Sequence, residues 1–537
     1  MSSDHKSDDY ELGHGGSKNE AIEQGDIEVH SGQYGNGIVV EFQEVQAVKQ
    51  GLHQRHIQMI ALAGTIGTGL FLGSGRAIAR SGPLGAFLGY SVVGLAVSSV
   101  VFAVGEMGAL IPLTGGQVRY AQHFFDPAMS FANGWNQVYS YIVSIPSEIV
   151  AAAVLIEFWT TINNAVWITV FAVLMIMTAV TFVQVYGELE FTFSMLKIML
   201  VIGINIMALV ITCGGGPNHE SIGFRYWRDP GAFVQYLGIG GSLGRFLGFW
   251  TTLNNALYAY SGIENITVAA AETKNPRRAI PWPLSASLSE FFCSTLLQSS
   301  GTASESPFVI AAKNAGIKVI PSIINAVVLT SAWSSGNSSM LGGTRILFGM
   351  AMHGHAPKIF TRVNRAGVPY IAAALYALFM CLGYMTLSST ASTVFTWLQD
   401  LVSIATLVNW ISILLVYLRF QAGCKKQGIN RHTELPWAAP FQPYTTWVSL
   451  ALFVILLFTG GYVTFIHGEW DTETFISSYL NIPLFLILFF GYKFYAKSKM
   501  ISLEEMPIRG FIEIYQQNPE PEEEPKKGLG RLNILWS

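Results

Sequence analysis

Charge is what this sequence has least of. Asp, Glu, Lys and Arg make up 12% of its 537 residues, where roughly 25% is usual in soluble domains. With 51% hydrophobic and 13% aromatic residues, too little polar surface remains to wrap the several separate cores that such a length would otherwise need. The composition describes an integral membrane protein. Cysteine is also scarce: Cys213, Cys293, Cys381 and Cys424 are widely spaced, with no Cys-x-x-Cys pair and no disulfide framework. No His-Glu-x-x-His or other clustered metal-ligand set occurs, so neither an enzyme nor a bound metal or other cofactor is expected. A formal net charge of −3 leaves no general basic footprint for nucleic acid. The start lacks the basic and apolar regions of a secretory signal. Residues 1–50 instead carry acids, Gly, Ser and His without apolar period, as a disordered cytoplasmic tail does.

What is present is a series of apolar runs. Runs of about 20 residues, enough to cross roughly 30 Å of hydrocarbon, lie near 57–79, 84–111, 131–157, 165–184, 191–213, 244–270, 319–350, 370–387, 394–418, 445–466 and 478–496. They make the protein all-α. A weaker candidate, Trp282 to Gln298, is short, serine-rich and carries Glu290. Basic residues decide its status, because Lys and Arg gather on the cytoplasmic side. Lys274, Arg277 and Arg278 follow the run at 244–270; Arg345 stands near the end of that at 319–350, and Lys358, Arg362 and Arg365 follow it. Arg419, Lys425, Lys426 and Arg431 follow that at 394–418. The connections 388–393 and 467–477 have no Lys or Arg, and the second holds Glu469, Asp471 and Glu473. The two sets alternate only if 282–298 also crosses. The expected architecture is a 12-helix membrane domain over 51–497, with both termini inside and a cytoplasmic tail at 498–537.

Two runs carry features that hydrophobicity does not explain. The first reads Ala63-Gly64-Thr65-Ile66-Gly67-Thr68-Gly69-Leu70-Phe71. Each Gly is worse than Ala by about 1 kcal/mol within a helix. Close helix packing through small residues and a helix break that bares amide groups both account for it. In the sixth run, Tyr258-Ala259-Tyr260-Ser261-Gly262-Ile263-Glu264 sets a glycine beside a carboxylate. An ionisable side chain inside a membrane span is expensive and marks function by default. Two interrupted helices, each opening one half of a chain, point to a midplane binding site in a carrier. A carrier driven by protons also needs a group that can be neutral or charged within the membrane. Glu148, Glu106, Glu264 and Glu272 are the candidates, with Glu148 and Glu264 preferred for proton coupling or gating and Glu272 assigned to a loop network with Arg277 and Arg278.

From Gly51 to about Lys497 the chain resembles the fungal amino-acid permeases of the amino acid–polyamine–organocation superfamily. The resemblance rests on the run from Gly51 to Phe71, on Gly105-Glu106-Met107, on Glu272 to Pro281, on Ser331-Ala-Trp-Ser-Ser-Gly-Asn337, and on Gly367-Val-Pro-Tyr370. Gly214 to His219 and Gly223 to Trp227 look most like the proline-permease branch. The resemblance implies a five-plus-five inverted repeat with broken helices 1 and 6, and proton-coupled uptake of proline or other neutral amino acids at the plasma membrane. It implies that the amides around Thr68 and Gly69, in a binding set with Ile66 and Gly67, hold the substrate carboxylate, and that a carbonyl near Thr65 faces its ammonium. Tyr258, Ser261 and Gly262 would receive its ammonium, while Tyr260, Trp333 and Trp397 would join Tyr258 in shaping the pocket. Protons, the lipid bilayer and a ubiquitin-ligase or endocytic machinery acting on the tails are the further partners implied.

The chain departs from that pattern after Pro281. Ser306-Pro-Phe308 arrives about 20 residues early, the length of one span, so the seventh helix is expected to be shortened or malformed. Asn254-Asn255 stand where the proline branch tends to carry a lysine. Two other readings follow: a non-transporting amino-acid sensor or receptor, and a transport-defective product because of the altered segment 282–298.

Overall fold

The computed structural model describes residues 67–111, 116–179, 183–265, 306–364, 367–466, 468 and 470–517. Thr65, Ile66, Glu272, Arg277, Arg278, the segment 282–298 and the tail 1–50 lie outside them. Among the described residues the secondary structure is helical, with no strand. The helices used below are α1 (Thr68–Phe71), α2 (Gly73–Leu110), α3 (Pro127–Ile156), α4 (Asn164–Ala179), α5 (Val183–Thr212) and α6 (Gly241–Ala259). They continue with α7 (Ile320–Met352), α8 (Tyr370–Phe379), α9 (Ala391–Lys426), α10 (Tyr444–Thr459), α11 (Asn481–Ala496) and α12 (Ile508–Gln517).

Hydrocarbon offers the backbone no hydrogen-bond partner, so apolar runs of this length must satisfy themselves as helices. Among the described residues, 6 helical stretches are long and apolar enough to cross a membrane, and α4 and α10 are shorter apolar helices. Burial sorts them into layers. The spanning windows of α3 and α9 are mostly buried, whereas those of α5 and α11 are mostly exposed. The exposed side chains are Met177 on α4, Ile206 and Leu209 on α5, and Phe494 on α11, as expected of helices that face lipid. α3 and α9 form the centre, with α2 and α6 packed together on one side and α7 on the other.

The sequence separates the runs at 57–79 and 84–111. The structure agrees: the helix from Gly73 is interrupted at Gly82, where φ is 78° and ψ 174°, and a second helical stretch then runs on to Leu110. Only glycine takes that conformation without strain. Pro83 follows, and the backbone groups freed at the corner are taken up by the loop before α6. Leu84 N donates to Ala232 O at 3.0 Å, and Val234 N to Ser81 O at 3.2 Å. The corner therefore fixes the outer end of α2 against the approach to α6.

The opposite end is tied by charge. Glu106 on α2 is fully buried and accepts from Arg431 Nε and Nη2, both at 2.6 Å. It also accepts from Tyr417 OH at 2.7 Å and from Ala439 N at 2.9 Å. Held by a bidentate cation and two further donors, Glu106 braces α2 to α9 and the loop beyond. Asp126, the N-cap of α3, accepts from Lys493 at the end of α11, from Ser498 Oγ at 2.7 Å and from Ala128 N at 2.8 Å. Beyond residue 497 the chain returns to this end: Ile508, Phe511 and Ile512 of α12 are buried, and Phe511 packs on Phe124 with ring centroids 6.4 Å apart.

Removing one partner of a buried ion pair strands the other. Arg431→Ala is therefore expected to destabilise the protein by about 3–5 kcal/mol. Thermal unfolding of the purified protein followed by fluorescence-detected size exclusion measures this; a melting temperature equal to wild type would remove the brace.

Candidate functional site

At both sequence features a described helix begins or ends. Gly67 is extended, with φ −118° and ψ −164°, and α1 begins at Thr68 without a side-chain cap. The first amides of a helix have no partner within the helix itself. α6 ends at Ala259, Gly262 takes φ 92°, and a short 3-10 turn, Ile263–Asn265, follows. The two breaks touch. A Cβ added to Gly69 would stand 2.7 Å from Tyr258 Cδ1 and 2.9 Å from Ala259 Cα, so glycine is what lets α1 lie against the end of α6.

Between them is a small polar cavity of about 40 Å³. Gly67, Gly69, Tyr258, Ser261, Gly262, Glu148 and Glu264 of the sequence-derived set line it. α3 contributes Gln137, Ser140, Ser144 and Glu148, which at steps of three and four residues share one helix face. α7 contributes Ser335, Ser338 and Ser339 by the same periodicity.

The two carboxylates are held differently. Glu148 accepts from three hydroxyls, one on each facing element: Thr68 Oγ1 of α1 at 2.9 Å, Ser335 Oγ of α7 at 3.0 Å and Tyr258 OH of α6 at 3.3 Å. Glu264 accepts from two side chains of α9, Asn409 Nδ2 at 2.9 Å and Trp410 Nε1 at 3.2 Å. Asn409 Oδ1 in turn accepts from Asn133 Nδ2 of α3 at 2.9 Å. Ser261 Oγ and Thr406 Oγ1 are 2.9 Å apart, a second link from the break in the sixth run to α9. The described lining holds two carboxylates and no Lys or Arg. Its chemistry suits a ligand with a cationic end, while the bare amides at the start of α1 suit an anionic one.

Three of the expected pocket aromatics stand elsewhere. Tyr260 OH donates to Tyr90 O at 3.0 Å, in the packing of α6 on α2. Trp333 packs edge-on against Phe193 of α5, with centroids 5.4 Å apart. Trp397 packs on the apolar core between helices. Tyr260 and Trp333 are near lining residues in sequence but are absent from the lining themselves, and α9, which carries Trp397, contributes no residue to the lining.

A further charged cluster was missed by the sequence reading. Lys197 and Glu190 of α5 are both buried. Lys197 Nζ donates to Ser334 Oγ at 3.0 Å, which donates to Glu190 Oε1 at 2.6 Å; Ser338 Oγ donates to the same oxygen at 3.2 Å. The signal was legible: the two charges are seven residues apart, on one helix face, in and beside an apolar run.

A helix start at Thr68 and a helix end at Ala259 that meet beside a polar cavity, inside a bundle whose outer helices expose apolar side chains, are the features of a membrane transporter. The amino acid permease family model matches residues 56–504. The chain belongs to the amino acid permease family, and it is a multi-pass amino-acid transporter rather than an enzyme. It is 37% identical to a proline-specific permease of Saccharomyces cerevisiae over 512 residues, which cover 89% of this chain and 81% of the relative. It is 36% identical to a dicarboxylic amino acid permease of the same yeast, covering 91% and 85%, and 37% identical to a proline-specific permease of Emericella nidulans, covering 88% and 90%. Among solved structures, a manganese transporter of Eremococcus coleocola aligns with a TM-score of 0.51 at 12% identity, over 89% of this chain and 97% of that one. That likeness concerns the fold.

Proposed function

We propose that this protein carries proline or another neutral amino acid into the cell across the plasma membrane, driven by protons. We propose a twelve-crossing fold with a five-plus-five inverted repeat and both termini inside. One observation carries the reading: the breaks at Gly67 and at Gly262 meet over a cavity that offers amides at one end and acceptors at the other. A zwitterion leaving water loses several kcal/mol for each unpaired polar end. The amides of Thr68 and Gly69 take the carboxylate. Acceptors around Tyr258 and Ser261 take the ammonium, with the carboxylates of Glu148 and Glu264 nearby. No fixed cation binds the carboxylate, so the ligand can leave. Glu148 carries the proton and Glu264 gates.

The direct test is uptake by permease-deficient cells of labelled proline, with unlabelled amino acids as competitors and a protonophore added. Saturable uptake that proline and small neutral amino acids suppress, and that the protonophore abolishes, is expected. Uptake indifferent to the protonophore would sink proton symport.

Glu264→Gln separates gating from packing. Trp410 Nε1 can only donate, and Asn409 is fixed by Asn133, so a glutamine can satisfy one of the two donors and leaves the other unmet. The expected loss is about 1–3 kcal/mol, seen as uptake reduced roughly tenfold or more with surface delivery retained. Unchanged uptake would remove Glu264 from the transport path.

A further inference from the structure

A second cavity lies on the same helices. Arg76 and Arg80 of α2, Asn254 and Asn255 of α6 and Asp400 of α9 line it, around about 830 Å³ of atom-free space. Arg76 is seven residues beyond Gly69, which places this cavity roughly 10 Å along the helix from the central one. On α9, Asp400 and the Tyr417 brace lie on opposite sides of Thr406, so the cavity is at the end away from the Glu106–Arg431 tie.

Its charges answer no partner of their own kind. Arg76 is 8% exposed, and its Nη2 donates to the neutral Thr396 Oγ1 at 2.7 Å. The Arg80 guanidinium lies over the Tyr236 ring, 5.7 Å from its centroid. Asp400 is within electrostatic reach of both guanidiniums, yet among the described residues no ion pair closes onto it. Asn254 Oδ1 is buried with no hydrogen-bond donor. Charges held apart at this depth are retained for a ligand rather than for stability. A guanidinium fork matches a carboxylate; a carboxylate and an amide oxygen match an ammonium. A molecule with both groups on one carbon bridges the gap.

We propose that this outer cavity is a second binding site for free α-amino acids, with the carboxylate at Arg76 and Arg80 and the ammonium at Asp400 and Asn254, filled before the central site. It rests on the amino-acid reading of the central cavity. Two cations against one anion make the site favour neutral and acidic side chains over basic ones.

The test is equilibrium binding of labelled L-proline, L-alanine and L-glutamate to the purified full chain in lipid nanodiscs, beside uptake in cells. Two equivalents are expected on the wild type, and one on either Asp400→Asn or Gly69→Val. In uptake, Asp400→Asn is expected to raise KM about tenfold or more with little change in maximal rate, and Arg76→Lys to raise it less. One equivalent on the wild type and none on Gly69→Val would overturn the outer site and leave the central one standing. Restoration of wild-type KM by Arg76→Asp combined with Asp400→Arg would also overturn it, since the two charges would then serve only each other. Binding of none of the three amino acids to the wild type would take down the central reading, and this proposal with it.

Discussion

Gly69→Val is expected to abolish saturable uptake in cells that still deliver the protein to their surface. Any side chain at this position begins 2.7 Å from Tyr258 Cδ1, 2.9 Å from Ala259 Cα and 3.1 Å from Ala259 N. None of these atoms can yield cheaply. The Tyr258 ring is pinned by its hydroxyl, 3.2 Å from Ser147 Oγ and 3.3 Å from Glu148 Oε1, and it packs edge-on against Phe395 at 6.1 Å. Ala259 is backbone, so relief requires the end of α6 to move. Overpacking of this kind costs about 1–3 kcal/mol, and here it falls on the contact between the two breaks. The bundle survives such a loss, but the cavity does not keep its shape. Gly203→Ala is the matched control, because nothing lies within 4 Å of the position its Cβ would take. Fluorescent tagging measures delivery and labelled uptake measures transport. Full uptake by Gly69→Val would show that α1 and α6 need not touch.

What the sequence revealed depended on how local the physics was. A glycine cluster and a carboxylate inside apolar runs are legible one residue at a time, because hydrocarbon penalises both wherever the helix lies. Gly67, Gly69, Gly262, Glu148 and Glu264 could be named on that ground, Ser261 came from the family resemblance, and the structure gathers them around one cavity. The face on which an aromatic points is not local. Tyr260 lies two residues beyond Tyr258 and thus on another side of the chain, bonded to Tyr90 O. Trp333 and Trp397 required knowledge of which helix packs behind them. The break at Gly82 was legible as a fall in hydropathy at Arg80, but its partners were not, because the backbone there borrows hydrogen bonds from residues 232–234. Glu106 was read as a candidate for proton coupling because it is acidic and buried. Its cation, Arg431, is 325 residues away, and no local pattern announces such a pair. Lys197 is the reverse case, a charge plainly visible in an apolar run whose importance was passed over.

Glu148→Gln is expected to uncouple the carrier while leaving it folded. The carboxylate accepts from Thr68 on α1, Tyr258 on α6 and Ser335 on α7, so it joins three elements that meet around the cavity. An ionised carboxylate only accepts; a protonated one must donate through one oxygen. Taking up a proton therefore forces one of the three hydroxyls to turn from donor to acceptor, and the set of contacts between α1, α6 and α7 changes with it. Glutamine has the same shape and offers a permanent donor on one side, which the hydroxyls can accommodate by rotation. It fixes one state of that switch and carries no exchangeable charge. With no coupling free energy between proton and solute, the accumulation ratio in proteoliposomes under an imposed pH gradient is expected to fall to about 1. Counterflow, which needs no gradient, should persist because the amides of Thr68 and Gly69 are untouched. Accumulation equal to wild type would remove Glu148 from coupling. Loss of counterflow together with accumulation would make it a binding or packing residue instead.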